Sequence, residues 1–334
     1  MPDVGIVVAG PLGDMPGLAR AAEERGYESV WVAETSSTAY VQAALVAQAT
    51  SRVLVGTDIA LAFPRSPTIT AMTARDLAEV SRGRFVLGLG SQVKRVNERR
   101  FSVPFEHPAP KMEEYVDVVR AVLGTFRGQP VDHRGRFFTV TMPPFPGAAP
   151  VEEVPIYLAA VNERMCEAAG RVGDGVLGHP LTSPKYVAEV VRPAVERGVT
   201  DAGREPADVS VTTSVILQMG EDQERNRYEA ALQIGFYATT RTYAPVLALH
   251  GFEEKIAPLR EAYAAGDLAK LAELSMPMVD TFAITGPADE CRERLAAFDG
   301  LVDRIILGGG WIGPDRKGIA ENFRRILDTF SPEE

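Results

Sequence analysis

The feature that most constrains this chain is a beat: short apolar, β-rich runs alternate with helix-length amphipathic segments along its whole length. "VGIVVAG" at 4–10 is followed by "DMPGLARAAEERG", where Asp14 is placed to cap a helix and Pro16 to sit in its first turn. "YESVWVAE" precedes "YVQAALVAQAT", "RVLVGTDIAL" precedes "SPTITAMTARDLAEVS", and "RFVLGLGS" leads to a long helix near 110–126. The second half pairs "VEEVPIYLAAVN" with "ERMCEAAGRVG", "DGVLGHP" with "SPKYVAEVVRPAVERGV", "DVSVTTSVILQMG" with further helical text, and "VDRIILGGGW" with "GIAENFRRILDTF". The strand runs are almost continuously apolar, as parallel strands covered on both faces must be. That makes eight strand-helix steps, the number that closes a (β/α)8 barrel through right-handed crossovers. We expect an α/β chain with one TIM-like barrel domain over 1–334; a doubly wound open sheet is the alternative.

Two stretches exceed a simple crossover. "GQPVDHRGRFFTVTMPPFPG" reads as a hairpin and Pro-rich loop within about 128–150, and about 221–280 holds several short helices, including 245–250 and 252–265. An excursion of that size over a barrel mouth is either a lid or pocket wall, or plain packing and an oligomer contact.

Composition narrows the partners. Apolar residues make up 46% and charged residues 24%, as in soluble globular proteins. A net charge of -10 argues against nucleic acid or an anionic membrane surface as the main partner, since those require a basic face. No apolar run approaches the roughly 18 residues of a membrane span. "MPDVGIVVAG" has no basic start and carries Asp3, so no signal peptide is expected. Cys166 and Cys291 lie far apart with no CxxC spacing, which points to a reducing cytoplasm.

In a (β/α)8 enzyme the site is built at the C-terminal ends of the strands. Here those ends include Glu34, Asp58 to Ala60, Gly90 to Gln92, Asn162, Gly178 to Pro180 and Gly308 to Trp311. Several are glycine or small and polar, which suits close approach of a planar or phosphorylated ligand to the backbone. "GLGS" is no GxGxxG, because Gly88 and Gly90 lie inside the strand run. Asp58 stands out, since an acid in "VLVGTDIAL" is costly to bury without a partner. Glu34 can meet a ligand or pair with Arg65. Of the four histidines, His179 closes strand six and is the best placed, His133 belongs to the hairpin, and His250 to the helical insertion. Glu34, Asp58 and His179 are the candidate acids and bases. No HxH, HExxH or carboxylate cluster occurs, so no metal is expected, and no GxSxG elbow occurs either. Such a site fits chemistry carried by a bound redox cofactor.

The set "GYESVWVAET", "VLVGTDIALAFPRSPTITAMTARDLAEVSRGRFVLGLGS", "VPIYLAAVNERMCEAAGRVGDGV" and "VDRIILGGG" resembles the luciferase-like flavin and deazaflavin oxidoreductases, in particular the actinobacterial branch that uses coenzyme F420. The resemblance implies a TIM-like barrel, a homodimer and a small-molecule substrate, with FMN as the alternative cofactor of a two-component monooxygenase and a barrel that has lost its site as a further possibility. It also implies a non-proline cis peptide near Asp58, Ile59 and Ala60 that backs the ring. Gly90, Ser91 and Gln92 would then line the ring or ribityl chain, and Asn162, Gly178 and His179 the phosphate end. Thr35 and Val93 stand where sugar-phosphate dehydrogenases of that branch carry histidine and glutamate. That speaks against sugar phosphate oxidation and carries over no acid or base.

The same resemblance gives a use to "KRVNERRF", a basic run just past a strand end in an acidic chain. The cofactor's phospholactyl-oligoglutamate tail is an extended anion, which Lys94 and Arg95 would hold. Arg99 and Arg100 are expected only to solvate a helix face.

Overall fold

The apolar runs pair as parallel strands, and the first of them meets the last. In the computed structural model, which describes residues 2–147 and 152–331, the strands are β1 (Asp3–Val7), β2 (Ser29–Val32), β3 (Leu54–Thr57), β4 (Ala60–Leu61), β5 (Phe85–Gly90), β6 (Val131–Arg134), β7 (Thr139–Met142), β8 (Ile156–Ala160), β9 (Gly175–Gly178), β10 (Ser210–Met219), β11 (Ala283–Gly286) and β12 (Arg304–Gly308). Pairing runs from β12 through β1, β2, β3, β5, β8, β9 and β10, and β10 pairs with β12 again. Eight parallel staves therefore close a (β/α)8 barrel, and the open sheet is excluded. The third stave is broken: β3 ends at Thr57, and β4 resumes at Ala60 beside Leu89 and Gly90 of β5.

The barrel interior is filled in layers, as such barrels are. At the strand N-termini, the buried Arg304 guanidinium donates to both carboxylate oxygens of Glu28, each at 2.7 Å. Above it lie Trp31, Val86, Tyr157, Leu177 and Ile306. The Trp31 indole donates to Ser29 Oγ at 2.8 Å and takes its space from both neighbouring strands. A Cβ on Gly5 or Gly56 would run into it, so those two positions have no room for a larger side chain. The uppermost layer, at the C-terminal ends, is polar and is the candidate site.

Helix ends follow local chemistry. Ser66 accepts from the Thr68 amide ahead of Pro67, and Arg82 closes the same helix in the left-handed region at φ 57°. β6 and β7 form the expected antiparallel hairpin. Glu114, on the helix Pro108–Thr125, accepts from the Phe137 and Phe138 amides and meets His133 Nε2 at 3.2 Å, which ties the hairpin down. The end of that insertion, 148–150, and Val151 lie outside the described residues.

The helical insertion resolves into Gln223–Ala238, Ala244–Leu249, Ile256–Ala264, Leu268–Ser275 and Val279–Phe282. It ends in β11, a strand the sequence pattern does not announce. β9 accompanies β10 only over Ser210 to Thr213; farther on, Ile216 to Met219 pair with β11.

Candidate active site

At the break in the third stave the peptide between Asp58 and Ile59 is cis, although no proline follows. This is where the resemblance places it. The Asp58 carboxylate points into the barrel and accepts from Ser214 Oγ on β10 at 2.7 Å. β3 and β10 lie on opposite sides of the closed barrel, so this bond spans it. Asp58 is half-buried: solvent reaches it from the mouth, while protein encloses it below and around. Burial raises its pKa to about 6, and the Ser214 hydrogen bond, which favours the anion, acts in the opposite direction. A carboxyl at the mouth thus exchanges its proton near neutrality.

Glu34 is committed elsewhere. Its carboxylate accepts from Arg65 through both oxygens and from the Leu61 amide at 2.8 Å, while its own amide donates to Ile59 O at 3.1 Å. Arg65 also donates to Leu61 O and stacks its guanidinium 5.0 Å from the Tyr40 ring centroid. Of the two uses open to Glu34, the structure selects pairing: it does not stand free as an acid or base but locks the broken stave from the outside.

The glycines of β5 also answer to a packing constraint. A Cβ on Gly88 would strike Thr57 O, and one on Gly90 would strike the Ile59 side chain. The bulge itself occupies the space that β5 leaves. Beyond β5, Gln92 takes the left-handed region at φ 57° and its side chain accepts from the Val93 amide at 2.9 Å. Asn97 reaches back to Ser91 O at 2.8 Å, so the Ser91–Gln92 turn is fixed beside the bulge. Lys94 and Arg95 open the helix Lys94–Arg100 and are exposed. Lys94 meets Glu98 at 3.7 Å, a loose pair of little energetic weight.

Asn162 caps the helix Glu163–Val172, its Oδ1 accepting from the Met165 amide at 3.2 Å. Its amide nitrogen is left over beside that N-terminus. Gly178 ends β9 against Thr213. His179 follows and is held tightly: Nδ1 accepts from the Leu181 amide at 3.0 Å, Tyr243 stacks on the ring at 4.2 Å and Tyr237 meets it edge-on at 4.5 Å. Burial lowers its pKa to about 3, so the imidazole is neutral at physiological pH. Both tyrosines come from the helical insertion, which therefore forms a wall of the mouth. Phe236 links this wall to Trp311 beyond β12, at 5.1 Å. Cys166 and Cys291 are buried free thiols, and burial pushes Cys166 up to about 12.

The fold has known counterparts. Residues 2–304 match the family model described as luciferase-like monooxygenase. The chain belongs to that family. Membership makes it an oxidoreductase, as the sequence resemblance implies. An uncharacterized protein of Mycobacterium tuberculosis is 36% identical over 304 residues, covering 86% of this chain and 89% of the relative. A 5,10-methylenetetrahydromethanopterin reductase of Methanolobus tindarius is 28% identical over 322 residues, covering 94% and 95%. Among solved structures, the coenzyme F420-dependent tetrahydromethanopterin reductase of Methanopyrus kandleri superposes with a TM-score of 0.80 at 23% identity over 98% of this chain and 99% of that one.

Sequence patterns missed three members of the site. Ser214 closes a polar cluster, Thr212, Thr213 and Ser214, inside the β10 run, and that interruption of the apolar text was its signal. Tyr237 and Tyr243 lie in helical text where nothing distinguishes a mouth-facing aromatic from a core one. No helix among the described residues is long and apolar enough to cross a membrane.

Proposed function

We propose that the protein is a coenzyme F420-dependent oxidoreductase that moves a hydride between C5 of the deazaflavin and a small organic substrate. The observation that carries this is the barrel mouth, where the half-buried Asp58 carboxylate reaches across the axis to Ser214 with the fixed Ser91–Gln92 turn beside it. The reductases named above lend the cofactor its identity. Asp58, Ile59 and Ala60 would back the ring, and Gly90, Ser91 and Gln92 would line the ring or ribityl chain. The Asn162 amide, Gly178 and the first-turn amides of Glu163–Val172 would face a phosphate, as helix N-termini do. Lys94 and Arg95 would hold the anionic tail. When bound, the deazaflavin supplies a carbon that accepts or releases hydride.

The chain's own part is orientation and exclusion of water. The Glu34–Arg65 lock fixes the bulge, the aromatic wall of the insertion covers the mouth, and Asp58 holds or releases a proton on the barrel axis. The reducing cytoplasm is the expected setting for its two free thiols, and a homodimer the expected assembly; a monomer by light scattering would remove the latter claim alone.

Calorimetric titration of the full chain with coenzyme F420 and with FMN tests the proposal. Preferential binding of F420 is expected. Preference for FMN would instead indicate a two-component monooxygenase, and tight binding of neither a barrel without a working site.

A further inference from the structure

The aromatic wall carries a donor that nothing in the protein uses. The Leu181 amide donates to His179 Nδ1, so that nitrogen holds a lone pair, and the proton of the neutral ring sits on Nε2. Among the described residues Nε2 has no hydrogen-bond partner. It is also absent from the polar atoms sealed away from solvent without one. It is therefore an oriented N–H that opens to accessible space. Tyr243 lies along one face of the ring and Tyr237 stands edge-on to it, so the donor has little freedom to turn. Tyr237 in turn adjoins Phe236, and Phe236 adjoins Trp311, which is 49% exposed.

The electrostatics of this corner are equally restrictive. No charged side chain acts on His179; burial alone sets its protonation. Tyr237 is held neutral, its pKa pushed up to about 12 by burial, with Trp311 and Gln233 approaching its hydroxyl and Asp58 the acid whose field reaches it. Burial likewise keeps Tyr243 protonated. An anionic substrate group would lose its water here and find no cation in return, which disfavours it. A neutral carbonyl would gain a hydrogen bond and flat apolar walls.

We propose that His179, Tyr237, Tyr243 and Trp311 form a neutral aromatic slot for an uncharged, planar substrate, whose carbonyl oxygen accepts from His179 Nε2. This rests on the proposed function in taking the barrel mouth as the place of reaction. It moves His179 from the cofactor's phosphate end to the substrate, where it determines specificity.

Saturation-transfer NMR on the full chain tests the slot, with acetophenone as the neutral probe and benzoate and phenyl phosphate as anionic ones. Acetophenone should bind at least tenfold more tightly than either anion. His179→Phe, which keeps the ring but loses the donor, should weaken acetophenone at least fivefold. His179→Gln, which restores an N–H, should recover most of that, and Tyr243→Leu should weaken the probe through loss of the wall. Coenzyme F420 affinity, measured on the same samples, should be unchanged in His179→Phe. Anions binding as tightly as acetophenone, or acetophenone indifferent to His179→Phe, would overturn the slot. A loss of F420 affinity in that variant would overturn it too, by returning His179 to the cofactor. Failure of the unaltered chain to bind F420 while acetophenone still obeys these ratios would sink the cofactor proposal and leave the slot standing.

Discussion

Asp58→Asn should stabilise the protein, and the gain should depend on pH in a defined way. In the folded chain burial raises the Asp58 pKa from its ordinary 3.8 to about 6. The folded state therefore holds a proton that the unfolded state has released between those two values. Stability must fall as pH rises through this window and then level off, because a raised carboxyl pKa penalises the ionised folded form. At about 1.4 kcal/mol per tenfold change in proton affinity, the full displacement corresponds to about 3 kcal/mol. Solvent reaching the carboxyl from the mouth screens part of this, so about 1–3 kcal/mol is expected above pH 7. Asparagine keeps the shape and an oxygen able to accept from Ser214, and it cannot ionise. Urea unfolding of both forms from pH 3.5 to 8 measures the difference. It should be near zero at the acid end, grow from about pH 4 to 6, and stay flat beyond. A difference that does not change with pH would refute the assignment of this carboxyl as buried and ionisable. Ser214→Ala should move the transition to higher pH, since the lost hydrogen bond favours the anion.

Other outcomes follow from the same contacts. Glu114→Gln should loosen the hairpin and cost about 1–2 kcal/mol, because glutamine has one oxygen where the carboxylate serves two amides and His133; hydrogen exchange at Phe137 and Phe138 reads it. Burial pushes the Glu114 pKa up, but the hydrogen bonds from Phe137, Phe138 and His133 together outweigh it and hold the pKa below its ordinary value, so this contribution is present above the unfolded-state pKa and is lost as pH falls through the lower folded one. Glu28→Gln, leaving the Arg304 charge at the bottom of the barrel only its longer contact with Asp3 at 3.6 Å, should cost about 1–3 kcal/mol by thermal unfolding. Replacing Lys94 and Arg95 together by alanine should weaken F420 binding by about 1–2 kcal/mol, less at high salt and less for a short-tailed cofactor; equal losses at every salt concentration and tail length would show that the pair only solvates its helix.

The staves were legible because parallel strands, buried on both faces, cannot hide their apolar runs. Residues such as Val30 to Val32 and Leu87 to Leu89 need no partner to be recognised. Closure was less legible. Asp58 and Ser214 are 156 positions apart, and only the completed circle brings them within one hydrogen bond. Glu34 and Arg65 could be paired from sequence because adjoining staves deliver them to one side of the mouth. The packing demand on Gly88 and Gly90 was not legible, because Thr57 and Ile59, against which a Cβ there would clash, belong to the neighbouring stave. β11 was missed for its brevity, four residues in helical surroundings.

The two tryptophans divide between the interior and the rim: Trp31 is fully buried among the staves, while Trp311 is 49% exposed beside the aromatic wall. The chain therefore carries two intrinsic optical probes with separate duties. Trp31 should emit toward the blue, resist iodide, and change only when the barrel opens. Trp311 should emit toward the red, be quenched readily, and respond to whatever enters the mouth. A ligand titration that dims the red component and leaves the blue one constant would report occupancy without unfolding, in the unlabelled protein.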